Sequence, residues 1–239
     1  MKYASSAFVL TALLSLPFTL ALSEREILVK LYSSSNGNRW KKSAGWQQAT
    51  ESADEKLVDQ LPLCSWHGVT CADGKRHDEE GVTSLDLSNN RLLGHVHKAL
   101  WSLTHLTEAK FQGNTIKGAC FEVFGEYNTT ALIQNIFLSE NRLTHLVGVS
   151  SATGLLRELS LSSNAFEGKF PHELTKLNKL KVLHVSYNPG VIGSLPSDIG
   201  NMSNLQDLEL SYTSLGGVLP LEIGNLSLLQ YLVMDETQL

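Results

Sequence analysis

The chain has 239 residues, a formal net charge of −5, 42% hydrophobic residues and three cysteines. Its lysines and arginines gather into no basic face, which argues against nucleic acid as a partner, because phosphate neutralisation supplies most of that affinity. A length of this order ordinarily gives one or two globular domains, but a chain made of repeats escapes that bound because its core grows along an axis.

The N-terminus reads Met1-Lys2-Tyr3, then an apolar run from Ala7 to Leu16, then Pro17 and the small-residue pattern Thr19-Leu20-Ala21. A basic start, a short apolar run and a small residue at the cut describe a secretory signal peptide over 1–21, cleaved near Ala21. The run falls short of the roughly 20 apolar residues a membrane span needs, and no other stretch reaches that length, so no span is expected in the mature chain. Export predicts oxidised cysteines, and in a secreted chain the simplest pairing is Cys64 with Cys71. Cys120 is left over, either as a small buried hydrophobe or for an intermolecular bond.

Residues 22–81 read as a cap. Ser23-Glu24-Arg25-Glu26 is a capping-box pattern, and Ile27, Leu28 and Leu31 share one face of the helix it opens. The turn residues Asn36-Gly37-Asn38 end it. Trp40, Trp46 and Trp66 each bury a large area, and beside the disulfide they form a plug. The segment Gln47 to Leu63 is acidic and reads as an exposed loop, and Ala72 to Gly81 reads as a solvated connection.

From 82 to 239 one apolar grid returns. The asparagine after each Leu-x-x-Leu-x-Leu-x-x falls at Asn90, Asn114, Asn141, Asn164 and Asn188, with Thr213 and Thr237 in the two later units, at intervals of 23 to 27 residues. Alternating apolar residues such as Leu85 and Leu87 make a short strand whose inward face stacks on the next unit. The asparagines turn inward and bond the backbone of neighbouring turns as a ladder. Gly94, Gly118, Gly168, Gly193 and Gly217 allow a sharp exit from the strand; His145 stands where the third unit lacks its glycine. One extra residue between Asn188 and Gly193 predicts a bulge at Pro189-Gly190-Val191.

The period and the Leu-x-x-Leu-x-Leu-x-x-Asn-x-Leu-x-Gly-x-hydrophobic-Pro wording resemble plant-type leucine-rich repeats. The opening helix, the spaced tryptophans and Cys-Ser-Trp-His-Gly-Val-Thr-Cys (Cys64 to Cys71) resemble the N-terminal cap of the same family; the wording of Leu31 to Trp40 is similar to algal members. The resemblance covers the chain from about Leu31 to Leu239. It implies an α/β solenoid: a right-handed leucine-rich-repeat superhelix of about seven repeats, with a parallel concave sheet, 3₁₀ or irregular convex segments and a disulfide-closed cap. It also implies that Phe170-Pro171, Leu195-Pro196 and Leu219-Pro220 belong to a second strand region, where Pro suits an edge.

No nucleophile motif, phosphate loop or kinase signature occurs, so no enzyme activity and no cofactor are expected. His95 and His97 lie two apart without convergent ligands, so no metal site is expected. Asp207 and Glu209 sit two apart on one strand face and read as solvated carboxylates. Asn128-Thr129-Thr130, Asn201-Met202-Ser203 and Asn225-Leu226-Ser227 are N-glycosylation acceptors.

Recognition is what remains, and strand alternation sets the outward residues. They include Lys110, Phe137, Glu158, Val182, His184, Asp207, Glu209, Tyr231 and Val233. Apolar anchors flanked by acid suit a peptide, a protein or a cell-wall polysaccharide-associated ligand, with a co-receptor as a further partner. The expected function is a non-catalytic recognition module, secreted or on the cell surface. The seventh unit stops inside the repeat at Leu239, which reads as a fragment; the alternative is therefore the ectodomain of a receptor-like kinase whose membrane and kinase parts lie elsewhere.

Overall fold

A computed structural model describes residues 22–48, 61–72, 81–119, 132–145 and 154–239. The signal segment 1–21, Cys120, Asn128, residues 49–60 of the acidic linker and residues 73–80 of the polar connection lie outside the described residues.

The cap opens on helix Glu24–Ser34 with both bonds of the capping box. Ser23 Oγ accepts from the Glu26 amide at 3.2 Å, and a Glu26 carboxylate oxygen accepts from the Ser23 amide at 2.7 Å. These bonds to Ser23 hold the Glu26 carboxyl below the usual carboxylate range. Ile27, Leu28, Leu31 and Tyr32 are buried, at the spacing of one helix face. Tyr32, Trp40, Trp46 and Trp66 pack ring to ring, with neighbouring centroids 4.9 to 6.2 Å apart. The Arg25 guanidinium lies 5.5 Å from the Trp66 ring centre and donates to the Leu61 carbonyl.

One expectation for the linker is corrected. It is not exposed to its end: Leu63 is buried in the cap core and starts the 3₁₀ turn Leu63–Ser65, which carries Cys64 inward. Cys64 and Cys71 are disulfide-bonded. Gly68, between them, has φ +78°, and a Cβ there would stand 2.1 Å from the Asp86 carbonyl oxygen, so the loop can close against the first repeat only with glycine. The bond closes a short loop, for which the chain-entropy estimate gives about 2.5 kcal/mol. Replacing both cysteines with serine is expected to lower unfolding stability by that amount in a denaturant titration, and reductant should then have no further effect.

Strand Val69–Cys71 pairs antiparallel with Val82–Asp86, and from there all pairing is parallel. The eight-stranded sheet continues through Glu108–Lys110, Asn135–Phe137, Glu158–Ser160, Val182–His184, Asp207–Glu209 and Tyr231–Val233. The central residues Leu85, Ala109, Ile136, Leu159, Leu183 and Leu208 lie opposite one another and are fully buried. Ala109 keeps this register despite its size.

The asparagine ladder forms as expected. Asn114 Oδ1 accepts from the amides of Asn90 and Leu92, while its Nδ2 donates to the carbonyls of Leu87 and Phe111. Asn141, Asn164 and Asn188 repeat the pattern, each bonding an amide and a carbonyl of the preceding turn. Asn90 ties the ladder to the cap: its side chain accepts from the Lys42 amide and donates to the Lys42 carbonyl. Thr213 and Thr237 each make one hydroxyl bond to a carbonyl of their own turn.

Two three-stranded parallel sheets lie beyond the ladder. One joins Leu93–Gly94, Thr115–Ala119 and Arg142–His145; the other joins Gly168–Lys169, Asn188–Gly193 and Thr213–Leu215. The predicted bulge is present, as a register shift between Asn188 and Ile192 against the next strand. The hydrophobic-Pro pairs do not belong to these strands. Pro171, Pro196 and Pro220 stand immediately before the 3₁₀ helices His172–Lys176, Ser197–Asn201 and Leu221–Asn225. There the fixed φ of proline suits a helix start and its missing amide costs nothing.

Candidate functional site

In the eight-stranded sheet the residues flanking each buried central position point away from the core. Across the parallel register Glu108 lies beside Asn135, then Glu158, Val182, Asp207 and Tyr231; Lys110 lies beside Phe137, then Ser160, His184, Glu209 and Val233. The nine residues expected to point outward therefore stand on one sheet face. Their exposure differs from expectation: Tyr231 is 62% exposed, but Phe137, Val182 and Val233 are half-buried. Strands about 4.8 Å apart bring outward side chains into contact, so each shields its neighbours.

At the early end of the face Lys110 Nζ lies 2.9 Å from a Glu108 carboxylate oxygen and 5.8 Å from the centre of the Phe137 ring. The hydrogen bond to Glu108 raises the Lys110 pKa. Ser84 Oγ donates to the same carboxylate. Asp86 is pulled both ways. Burial opposes its ionisation, but bonds from the Ser88 hydroxyl and amide, with the Lys110 charge, leave its pKa below the usual value.

At the later end, His184 Nε2 lies 3.3 Å from Asp207 Oδ2 and His184 Nδ1 lies 3.9 Å from Glu209 Oε2. One ring nitrogen and one oxygen from each carboxylate lie within 4.8 Å of one another, so these three residues could hold a metal ion. Asp207 and Glu209 are thus not the freely solvated pair expected. The interval between units places His184 directly opposite Glu209 and diagonal to Asp207.

The His95 and His97 pair has a different occupation. His97 Nδ1 accepts from the Ala99 amide at 3.1 Å and caps the 3₁₀ helix Lys98–Ser102. Partial burial, then the charges of Lys30, His95 and Lys98, push the His97 pKa down.

One feature had no signal in the sequence. Asn89, Glu140, Ser163, Tyr187, Tyr212 and Glu236, each just before a ladder position, have φ between 52° and 57°. This left-handed backbone presents Tyr187 and Tyr212 outward, where their rings stack with centroids 4.5 Å apart and planes within 12°. With Pro189, Ser214 and Glu236 they border a cavity of about 450 Å³.

Asn201 and Asn225 are exposed at the ends of their equivalent 3₁₀ helices. Among the described residues no helix is long and apolar enough to cross a membrane.

Comparison with known proteins agrees with this architecture. The Leucine Rich Repeat family model matches residues 81–103, 155–177 and 204–226. Receptor-like protein 32 of Arabidopsis thaliana is 32% identical over 163 residues, which is 68% of this chain and 16% of that protein. The PEPR1–AtPEP1 crystal structure superposes with a TM-score of 0.73 at 24% identity, covering 90% of this chain and 28% of that one. The ectodomain of the Arabidopsis receptor kinase HAESA, in complex with an N-terminally extended IDA peptide hormone, gives a TM-score of 0.66 at 25% identity, covering 88% of this chain and 32% of the other. The chain spans a third or less of each of these relatives. The chain carries leucine-rich repeats on the solenoid fold seen in those receptor ectodomains.

Proposed function

We propose that the eight-stranded face is a non-catalytic, extracellular recognition surface for a peptide or the exposed segment of a protein. The observation that carries this reading is the mixture on that face: Phe137, Val182, Tyr231 and Val233 interleaved with Glu158, Asp207 and Glu209. Apolar side chains on a solvated sheet are anchors in search of partner surface. Acidic neighbours set the sign of the partner, favouring basic or polar groups beside apolar ones. The HAESA ectodomain, whose solved complex holds a peptide hormone, supports this choice over a cell-wall polysaccharide. Carbohydrate on Asn201 and Asn225, on the side of the 3₁₀ helices, would leave the face clear.

The test is selection of a displayed random-peptide library on the secreted, glycosylated chain. Enriched peptides should pair a basic residue with apolar ones, and Phe137→Ala with Tyr231→Ala should weaken them by about 30-fold, as loss of a central anchor does, with the thermal midpoint unchanged. Equal binding by the double variant would overturn the reading. A second reading, the ectodomain portion of a longer receptor kinase, is favoured by the small share of its relatives that the chain spans. Genomic sequence past Leu239 decides it: an apolar stretch of about 20 residues followed by kinase motifs supports it, and a capping repeat with a stop codon refutes it.

A further inference from the structure

We propose that His184, Asp207 and Glu209 form a binding site for one divalent transition-metal ion of the zinc type. The inference goes beyond peptide recognition and stands whether or not that face takes a peptide.

The geometry comes first. Zinc holds nitrogen and oxygen donors at about 2.0 to 2.2 Å in tetrahedral arrangement, which puts donors of one ion about 3.4 Å apart. His184 Nε2 and Asp207 Oδ2 are 3.3 Å apart, the bite of two ligands on one ion. As a hydrogen bond the same contact fails. Although the charges are close, His184 Nε2 has no hydrogen-bond partner, and neither has Asp207 Oδ1, while both atoms are shut off from solvent. A shielded polar atom without a partner is costly, and an ion held between His184 Nε2 and Asp207 Oδ2 would satisfy the ring nitrogen. The third donor, from Glu209, lies within 4.8 Å of the other two, and its side chain is the most exposed of the three at 39%, so a rotamer change can bring it in.

Charge points the same way. Glu158 lies two strands from Asp207 on this face, and among the described residues neither Asp207 nor Glu209 forms an ion pair with lysine or arginine. The nearest outward lysine on the sheet, Lys110, is bound to Glu108. Two carboxylates held together with a single imidazole leave a local excess of negative charge that a dication offsets. Donor type selects among dications: magnesium and calcium favour all-oxygen shells, whereas one imidazole with two carboxylates suits zinc, cobalt or manganese. The arrangement also rests on rigid scaffold, since two adjacent strands with buried central residues Leu183 and Leu208 hold all three side chains.

The experiment is calorimetric titration of the chelator-treated chain with zinc chloride, and separately with magnesium and calcium chloride, without any peptide. One equivalent of zinc should bind, with magnesium and calcium at least tenfold weaker. His184→Gln and Asp207→Asn should each weaken zinc by about tenfold or more, since loss of even an outer-shell partner costs that much, and both should melt like the parent when metal-free. The His95→Gln/His97→Gln variant should bind zinc as the parent does. So should the Phe137→Ala/Tyr231→Ala variant, which separates failure of the metal site from failure of peptide recognition. Absence of saturable zinc binding overturns the proposal, as does unchanged affinity in His184→Gln or loss of binding only in the His95/His97 variant.

Discussion

Asn114→Ala should lower the unfolding free energy by about 4 kcal/mol. The side chain bonds five backbone groups: the amides of Asn90 and Leu92 and the carbonyls of Leu87, Phe111 and, at 3.4 Å, Gln112. Alanine leaves buried donors and acceptors without partners, at roughly 1–3 kcal/mol each, and partial relaxation keeps the sum below the upper limit. Domains of this kind are stable by only about 5–15 kcal/mol, and at about 2–4 °C per kcal/mol the thermal midpoint should fall by roughly 10 °C. Thr213→Val is the comparison, because it removes a single hydroxyl bond to the Leu210 carbonyl and should cost about 1 kcal/mol. Melting curves of the two variants check the claim. If they coincide, the ladder does not carry the load that its bonding indicates.

The same contrast shows what was legible in the sequence. The ladder positions could be read because an asparagine at a fixed interval among leucines has no other reason to be buried, and the bulge at Pro189 could be read because one extra residue has to go somewhere. The hydrophobic-Pro pairs were misplaced because proline suits two sites for one reason: a missing amide is harmless at a strand edge and at a helix start alike. Periodicity alone does not choose between them. The left-handed residues Tyr187 and Tyr212 gave no signal, since that backbone ordinarily announces itself with glycine or asparagine, and here the ladder bonds impose it on tyrosine. The nine outward residues followed from strand alternation, which fixes direction but not exposure. Exposure depends on the neighbours two strands make together, and so does the meeting of His184 with Asp207 and Glu209. Their positions in the unit follow from the repeat, but a diagonal contact becomes visible only once the register is known.

The largest expected effect lies in the cap. Trp46 is fully buried, its indole nitrogen donates to the His67 carbonyl, and its ring meets those of Tyr32, Trp40 and Trp66. Trp46→Ala should therefore cost about 5 kcal/mol, at the upper end for an aromatic truncated to alanine, because the cavity opens among rings whose backbone the Cys64–Cys71 bond keeps from collapsing. The damage should also be local. In a solenoid each unit contacts only its neighbours, and the cap reaches the first repeat through links that include the pairing of Val69–Cys71 with Val82–Asp86, the Asn90 side chain on Lys42 and the Val82 amide on the Glu24 carboxylate. Amide hydrogen exchange is the measurement that separates loss of a cap from loss of a fold. In Trp46→Ala the amides of Val82–Asp86 and Leu92 should lose protection, while those of Leu208, Leu210 and Tyr212, bonded across the later strands, should keep theirs. Uniform loss along the chain would mean that the cap and the repeats unfold as one unit, and that the tryptophan cluster is the centre of the molecule's stability and not the closure of one end.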